Sequence, residues 1–282
     1  MKIAIVTDST AYLSEETRKH KDLFILPIPV VVDGKTYGEG VEISEAEFFE
    51  KIAHSEHFPT TSQPSLGEVI ELYERIKAAG YEQVVAIHMS SGISGFIRNI
   101  TTIKDSVDGL QVDIFDSKIT SAPMGNMVEA ALKMVEEGRT KEEILEKLAY
   151  ISEKTKAFMI VEDLNHLVRG GRLTNGAALL GNLLHIKPIL TFTDGQIVLE
   201  ERIRTAHKAF RRAEELIEEY METFDVPVRI YIIHSNALEK ALELQTYFME
   251  KYAEQSVELA TFGPVIGTHL GDKAIGIGIS AI

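Results

Sequence analysis

The 282-residue sequence contains no cysteine, which excludes disulfides, thiolate metal sites and cysteine nucleophiles together and leaves the redox compartment undecided. It has no long apolar run either. The longest charge-free stretch, Leu173 to Ile186, is too short to cross a bilayer and contains Asn175, Asn182 and His185, so no stable membrane insertion is expected. The N-terminus passes from Met1-Lys2 straight into Ile3-Ala4-Ile5-Val6 with no small-residue cleavage site, and a cytoplasmic location is expected. Positive charge is in deficit: 29 Lys and Arg stand against 43 Asp and Glu, a net charge of -14, and no basic run offers a nucleic-acid footprint. Neither nucleic acid nor an anionic membrane is expected as a partner. What is present is ordinary globular material, 45% hydrophobic and 26% charged, in a chain about twice the usual domain length. Two domains are expected.

Up to about residue 157, short Val/Ile-rich runs alternate with helical patterns whose starts carry capping boxes at Ser44/Glu47, Ser65/Glu68 and Thr140/Glu143, with Gly80 and Gly138 as stops. The runs Lys2 to Thr7, Val84 to Met89 and Val112 to Phe115 are almost wholly apolar, as strands covered on both faces are, and predict a parallel sheet. Phe24 to Val32 is interrupted by Pro27 and Pro29 and is placed at an edge. Beyond residue 157 the pattern changes. Pro188 to Arg204 reads as two strands around Asp194-Gly195, a strong hairpin signal. Helices over Thr205 to Phe224 and Ala237 to Tyr252 flank the strand Val228 to His234, and strands over Val257 to Phe262 and Ala274 to Ile279 close the chain. The expectation is an α/β protein of two domains. Residues 1–157 form an α/β/α unit with a mostly parallel sheet, residues 158–282 an α+β unit with an antiparallel hairpin, and a ligand lies at their interface.

Ligands of open parallel sheets sit beyond the carboxyl ends of the strands, and those ends are rich in hydroxyls here. They are Thr7-Asp8-Ser9-Thr10, Ser90-Ser91-Gly92-Ile93-Ser94-Gly95 and Asp116-Ser117-Lys118. Ser and Thr beside Gly at a helix start suit either an ordinary N-cap or donors for a carboxylate or phosphate. Gly92-Ile93-Ser94-Gly95-Phe96 fails as a nucleophile elbow, and no dinucleotide fingerprint or P-loop is present. Thr60-Thr61-Ser62, held between Pro59 and Pro64, is a rigid donor cluster or an elaborate helix entry. Nine histidines include His54 and His57 at helical spacing, but no third ligand is evident, so no metal is expected. His269 stands apart, in the glycine-rich Gly267-Thr268-His269-Leu270-Gly271. The Ala177 to Leu184 run has no charged face and reads as a buried helix, either packed core or the wall of an apolar tunnel. Donors for one anionic head beside apolar helices suggest an amphiphilic acid, and a small phosphorylated or carboxylated metabolite fits nearly as well.

Five ordered motifs then resemble the DegV family of bacterial fatty-acid-binding proteins across essentially the whole chain. They are Asp8-Ser9-Thr10-Ala11, Thr61-Ser62-Gln63-Pro64-Ser65, Ser90 to Gly95, Arg169-Gly170-Gly171-Arg172-Leu173 and Gly267 to Gly271. The resemblance implies a carrier, not an enzyme by itself and so without catalytic residues. It would hold one long-chain fatty acid in a buried tunnel, use no other cofactor, and present the acid to a separate ATP-using fatty acid kinase that makes an acyl phosphate for phospholipid metabolism. It makes Thr61, Ser94 and His269 the carboxylate ligands. Ser62, Ser117 and Arg169 become head-group neighbours, with Arg169 assisting electrostatically, and Arg172 and Arg202 become kinase-docking residues. A protonatable His beside neutral donors holds a carboxylate without burying several unpaired charges. Two departures stand out: Phe96-Ile97-Arg98 follows Gly95 where the family usually has Thr and an aromatic, and Asp272-Lys273 replaces the usual Pro-Gly after Gly271. The competing expectations are an enzyme resembling dihydroxyacetone kinase substrate domains, acting on a small carbonyl or carboxylate metabolite with His269 as its covalent attachment point, and a regulatory scaffold with a self-filled cavity.

Overall fold

The computed structural model describes residues 1–176 and 186–282, so the run Ala177 to Leu184, expected as a buried helix, lies outside the described residues. β1 (Ile3–Asp8), β6 (Gln83–His88) and β7 (Gln111–Asp116) fall within one residue of the apolar runs and form a parallel sheet with β2 (Leu23–Leu26), in the order β2-β1-β6-β7. Side chains of a strand alternate between faces. Ala4, Val6, Val84 and Ala86 therefore meet α3 (Leu66–Ala78) and α4 (Phe96–Thr101), while Ile3, Ile5, Val85 and Ile87 meet α5 (Ser121–Glu136) and α6 (Lys141–Glu153). The three expected capping boxes form at the starts of α2 (Glu45–Ala53), α3 and α6; only the short α1 (Glu15–Arg18) precedes them. Gly80 and Gly138 take left-handed φ values of 86° and 71° just past α3 and α5.

The segment Phe24 to Val32 is not a single edge element. It ends β2 at Leu26 on the edge of the parallel sheet, then enters β3 (Pro29–Val32), the middle strand of a second sheet with β4 (Lys35–Gly38) and β5 (Thr60–Thr61). Pro29 can stand in a central strand because it is the first residue, where a missing N–H is tolerated.

In the second half, β9 (Lys187–Thr193) and β10 (Gln196–Ile203) form the expected hairpin, with Asp194 at φ 48° and Gly195 at φ 77° in its two-residue turn. They join β8 (Thr155–Ile160), β11 (Val228–His234), β12 (Ser256–Thr261) and β13 (Ile275–Ala281) in a mixed six-stranded sheet ordered β10-β9-β8-β13-β11-β12. A division after residue 157 runs through β8. Helices α8 (Ala206–Met221) and α9 (Leu238–Lys251) cover the outer face, packing Ala213, Ile217, Leu244 and Phe248 on Ile232 and Ile277. The inner face rests on α5 and α6, so one helical layer serves both sheets.

The alternation Ile275-Gly276-Ile277-Gly278-Ile279 fits β13 to that arrangement. Its isoleucines enter the outer core and its glycines face inward, where a Cβ at Gly278 would lie 3.2 Å from the Pro123 ring of α5. Two short helices, α7 (Asn165–Gly170) and α10 (Pro264–Leu270), pack on each other beside this inner face. Among the described residues no helix is long and apolar enough to cross a membrane.

Candidate functional site

The chain order reverses between β1 and β6, and the crevice that such a reversal creates at the carboxyl ends of parallel strands is a usual ligand position. A cavity of about 360 Å³ opens there. Ile28 follows β2, Met89, Ile93 and Ser94 follow β6, and Ile119, Thr120 and Ser121 follow β7; the facing wall is the inner side of the six-stranded sheet, with Ala157, Met159, Ile233 and Gly276. Val265, Ile266, His269 and Leu270 of α10 close it. The lining comes from both halves of the chain and is mostly aliphatic, with its polar groups grouped rather than scattered.

The principal polar group joins three distant motifs. Thr61 Oγ1 of β5 and His269 Nε2 of α10 are 2.9 Å apart. Arg172 also lines the cavity, donating from Nε to the Ile93 carbonyl at 3.1 Å and from Nη1 to the Gly170 carbonyl. Gly170 lies so close to His269 that a Cβ there would sit 2.5 Å from Nδ1, and Gly171 ends α7 at φ 70°. The Arg-Gly-Gly-Arg motif thus has a local reason: close backbone approach, a left-handed exit, then an arginine turned inward. His269 Nδ1 is buried without a hydrogen-bond partner among the described residues. Burial, with the Arg172 guanidinium and His166 nearby, pulls the imidazole down to about 3, so it is neutral at pH 7. The protonatable His expected from the sequence is therefore neutral in the unliganded protein. Burial likewise lowers Arg172 from its ordinary value.

The other sequence candidates divide by where their hydrogen bonds go. Ser94 lines the cavity, its Oγ accepting from the Phe96 amide at 3.2 Å, and Ser62 and Gln63 stand at the exposed rim. Ser117 is not among the lining residues; its hydroxyl donates to the Ile119 carbonyl of its own loop. Arg169 is exposed and stacks on Phe58, 4.2 Å from the ring centroid, while the inward arginine is Arg172. Arg172 is thus tied into the cavity, whereas Arg202 is exposed on β10. Ser90 donates to the Gly195 carbonyl of the hairpin turn and Ser91 to Asp116. The Asp8-Ser9-Thr10 cluster faces its own network: Asp8 accepts from the Met89 amide and Thr10 and meets His88 Nδ1 at 3.0 Å. Phe96, the departure from the family pattern, lies in the core between the parallel sheet and α3, against His88, and is not among the lining residues of the cavity.

Sequence reasoning missed Glu39. Its carboxylate accepts from Ser9 Oγ at 2.5 Å and from the Val265 amide at 2.9 Å, so it fixes the first turn of the helix that carries His269. Burial raises it to about 7 against the opposing pull of those two donors. The only signal in the sequence was a lone acid between Gly38 and Gly40.

Residues 2–281 match the model of the DegV family, described as uncharacterised proteins. A DegV domain-containing protein of Streptococcus pneumoniae is 47% identical over 279 residues, covering 99% of this chain and 98% of that protein. The crystal structure of a fatty acid binding DegV family protein from Streptococcus agalactiae superposes with a TM-score of 0.94 at 42% identity, covering 100% of this chain and 99% of that one. DegV from Bacillus subtilis, a fatty acid binding protein, gives 0.92 at 38% identity over the whole of both chains.

Proposed function

Since this chain belongs to the DegV family, we propose that it binds one long-chain fatty acid in the cavity beneath α10 and presents the carboxylate to a separate ATP-dependent fatty acid kinase. The observation that carries this reading is Arg172: a partly buried guanidinium at a mostly apolar cavity, hydrogen-bonded to carbonyls and to no carboxylate among the described residues. A ligand carboxylate supplies the missing charge. Thr61, Ser94 and His269 then hold its oxygens and Arg172 balances it, the part first expected of Arg169. Binding an anion beside His269 stabilises the imidazolium, so uptake of the acid draws His269 upward from about 3. The tail provides most of the affinity. Roughly 14 methylenes at about 0.8 kcal/mol each give a gross gain on the order of 11 kcal/mol before the cost of ordering the chain.

The acyl phosphate product would be released for phospholipid metabolism, with the kinase docking at the rim. Arg202 and Arg169 are the exposed cations assigned to that contact, and in a protein of net charge -14 a local basic contact weakens as salt rises. The test is palmitate titration of variants with Ala at Thr61, Ser94, His269 and Arg172, each beside kinase-dependent acyl phosphate formation. Loss of both is expected; wild-type affinity in all four variants overturns the assignment, and salt-independent kinase binding overturns the docking residues.

A further inference from the structure

We propose that the cavity selects a fatty acid carrying oxygen on its chain, a hydroxy fatty acid, through the hydroxyl of Ser121. This rests on the fatty-acid reading above and specifies its ligand. Ser121 lines the cavity, is only 2% exposed, and its Oγ has no hydrogen-bond partner among the described residues. A buried hydroxyl left unpaired costs about 1–3 kcal/mol, so a stable fold that keeps one facing a ligand cavity has a use for it when the ligand arrives.

Two further features single the residue out. Ser121 is a non-glycine residue at φ 58°, a left-handed conformation that side chains rarely adopt, at the first position of the 16-residue helix α5. The preceding Thr120 does not cap that helix with its side chain; its hydroxyl donates to Thr10 Oγ1 at 2.9 Å instead. The Ser121 amide donates to the Thr10 carbonyl at 3.1 Å, which pins the backbone while the hydroxyl stays unengaged.

Position argues against a second carboxylate site. Contacts tie Thr61, His269, Gly170, Arg172 and Ile93 into one group. Ser121 lies two residues before Pro123, which packs toward Gly278 of β13, and no hydrogen bond links it to the first group. Ile119 and Pro123, its near neighbours in the chain, line the cavity with apolar side chains, surroundings that suit an acyl chain better than its anionic end. A neutral donor-acceptor such as a chain hydroxyl fits Ser121 on both counts, giving and taking one hydrogen bond.

The experiment is competition binding of stearate against monohydroxystearates with the hydroxyl moved stepwise along the chain, on wild type, Ser121→Ala and Ser121→Gly. One positional isomer is expected to bind wild type about five- to tenfold tighter than stearate, and both variants should bring that ratio to about one. Ser121→Gly removes the same hydroxyl while relieving the φ of 58°, so the result does not depend on the alanine variant folding. If stearate binds and no hydroxy isomer surpasses it, the hydroxyl serves a resident water or nothing, and the inference is overturned alone. A preference that persists in both variants also overturns it. If neither stearate nor any hydroxystearate binds wild type, the fatty-acid reading fails with it.

Discussion

Two histidines, the fully buried His88 and the partly buried His269, follow different rules. His88 has a carboxylate of its own: Asp8 meets its Nδ1 at 3.0 Å, both side chains are fully buried, and Asp8 also takes the Met89 amide and Thr10. His269 has Thr61 at 2.9 Å, an arginine nearby, and no carboxylate among the described residues. Both regions are built from hydroxyl-rich segments at strand ends. The first supplies its own carboxylate to His88 and supports the fold, although His88 Nε2 and Thr7 Oγ1 stay without partners among the described residues; the second leaves an imidazole and a guanidinium without an anion and suits a ligand. A hydroxyl-rich loop is therefore a site only to the extent that its own neighbours leave it unsatisfied.

The sharpest way to break this contrast is to exchange stability for binding. Asp8→Ala leaves His88 and the Met89 amide without their acceptor and should lower unfolding stability by about 3–5 kcal/mol, read as a shifted denaturant midpoint with an unchanged slope. His269→Ala should move that midpoint by less than about 1 kcal/mol while weakening palmitate affinity about 10- to 100-fold. If the two variants trade places, the division between fold and site is wrong.

The pH dependence of stability comes next. His269 is depressed from 6.5 to about 3, so the unfolded chain binds more protons than the folded one between those values and stability rises with pH across that window. Glu39 is raised from 4.5 to about 7, so the folded chain binds more protons there and stability falls as pH climbs through it. The two oppose each other between 4.5 and 6.5. Replacing His269 with Ala should expose the Glu39 fall, at most about 3 kcal/mol, and Glu39→Gln the His269 rise, at most about 5 kcal/mol. Parallel stability-pH curves for the two variants would contradict both assignments.

A smaller effect is expected at the inner face of β13. A Cβ at Gly276 would lie 2.8 Å from the Phe262 ring, so Gly276→Val should cost about 1–3 kcal/mol and penalise long acyl chains more than short ones in a chain-length series. The least is expected from Arg169→Ala, whose exposed stack on Phe58 should change stability by less than about 0.5 kcal/mol and palmitate affinity within error. A large loss of binding there would return the head-group charge to Arg169 and remove it from Arg172.

Much of this was legible in the sequence. Capped, strongly periodic helices and apolar strands declare themselves locally, so β1, β6 and β7 fell within one residue of expectation and Asp194-Gly195 formed its turn. Thr61 and His269 were also legible as candidates, and the fold brings them into contact. What escaped depends on tertiary direction. Whether Arg169 or Arg172 turns inward is decided by the close approach of Gly170 to His269, and whether Ser117 or Ser94 reaches the cavity depends on where each hydroxyl finds its partner. The single helical layer shared by both sheets had no marker in composition, and the two prolines of Phe24 to Val32 pointed to an edge without revealing that the chain changes sheets there.

The central claim, that this cavity takes a long-chain acid by its carboxylate, is tested most directly by organic extraction of the purified, denatured protein and mass spectrometry of whatever is released. The account predicts a near-stoichiometric long-chain fatty acid from wild type, any chain oxygen being visible in its mass, and strong depletion in a variant lacking both Arg172 and His269. An empty wild-type extract, together with no binding when fatty acid is added back, would contradict it.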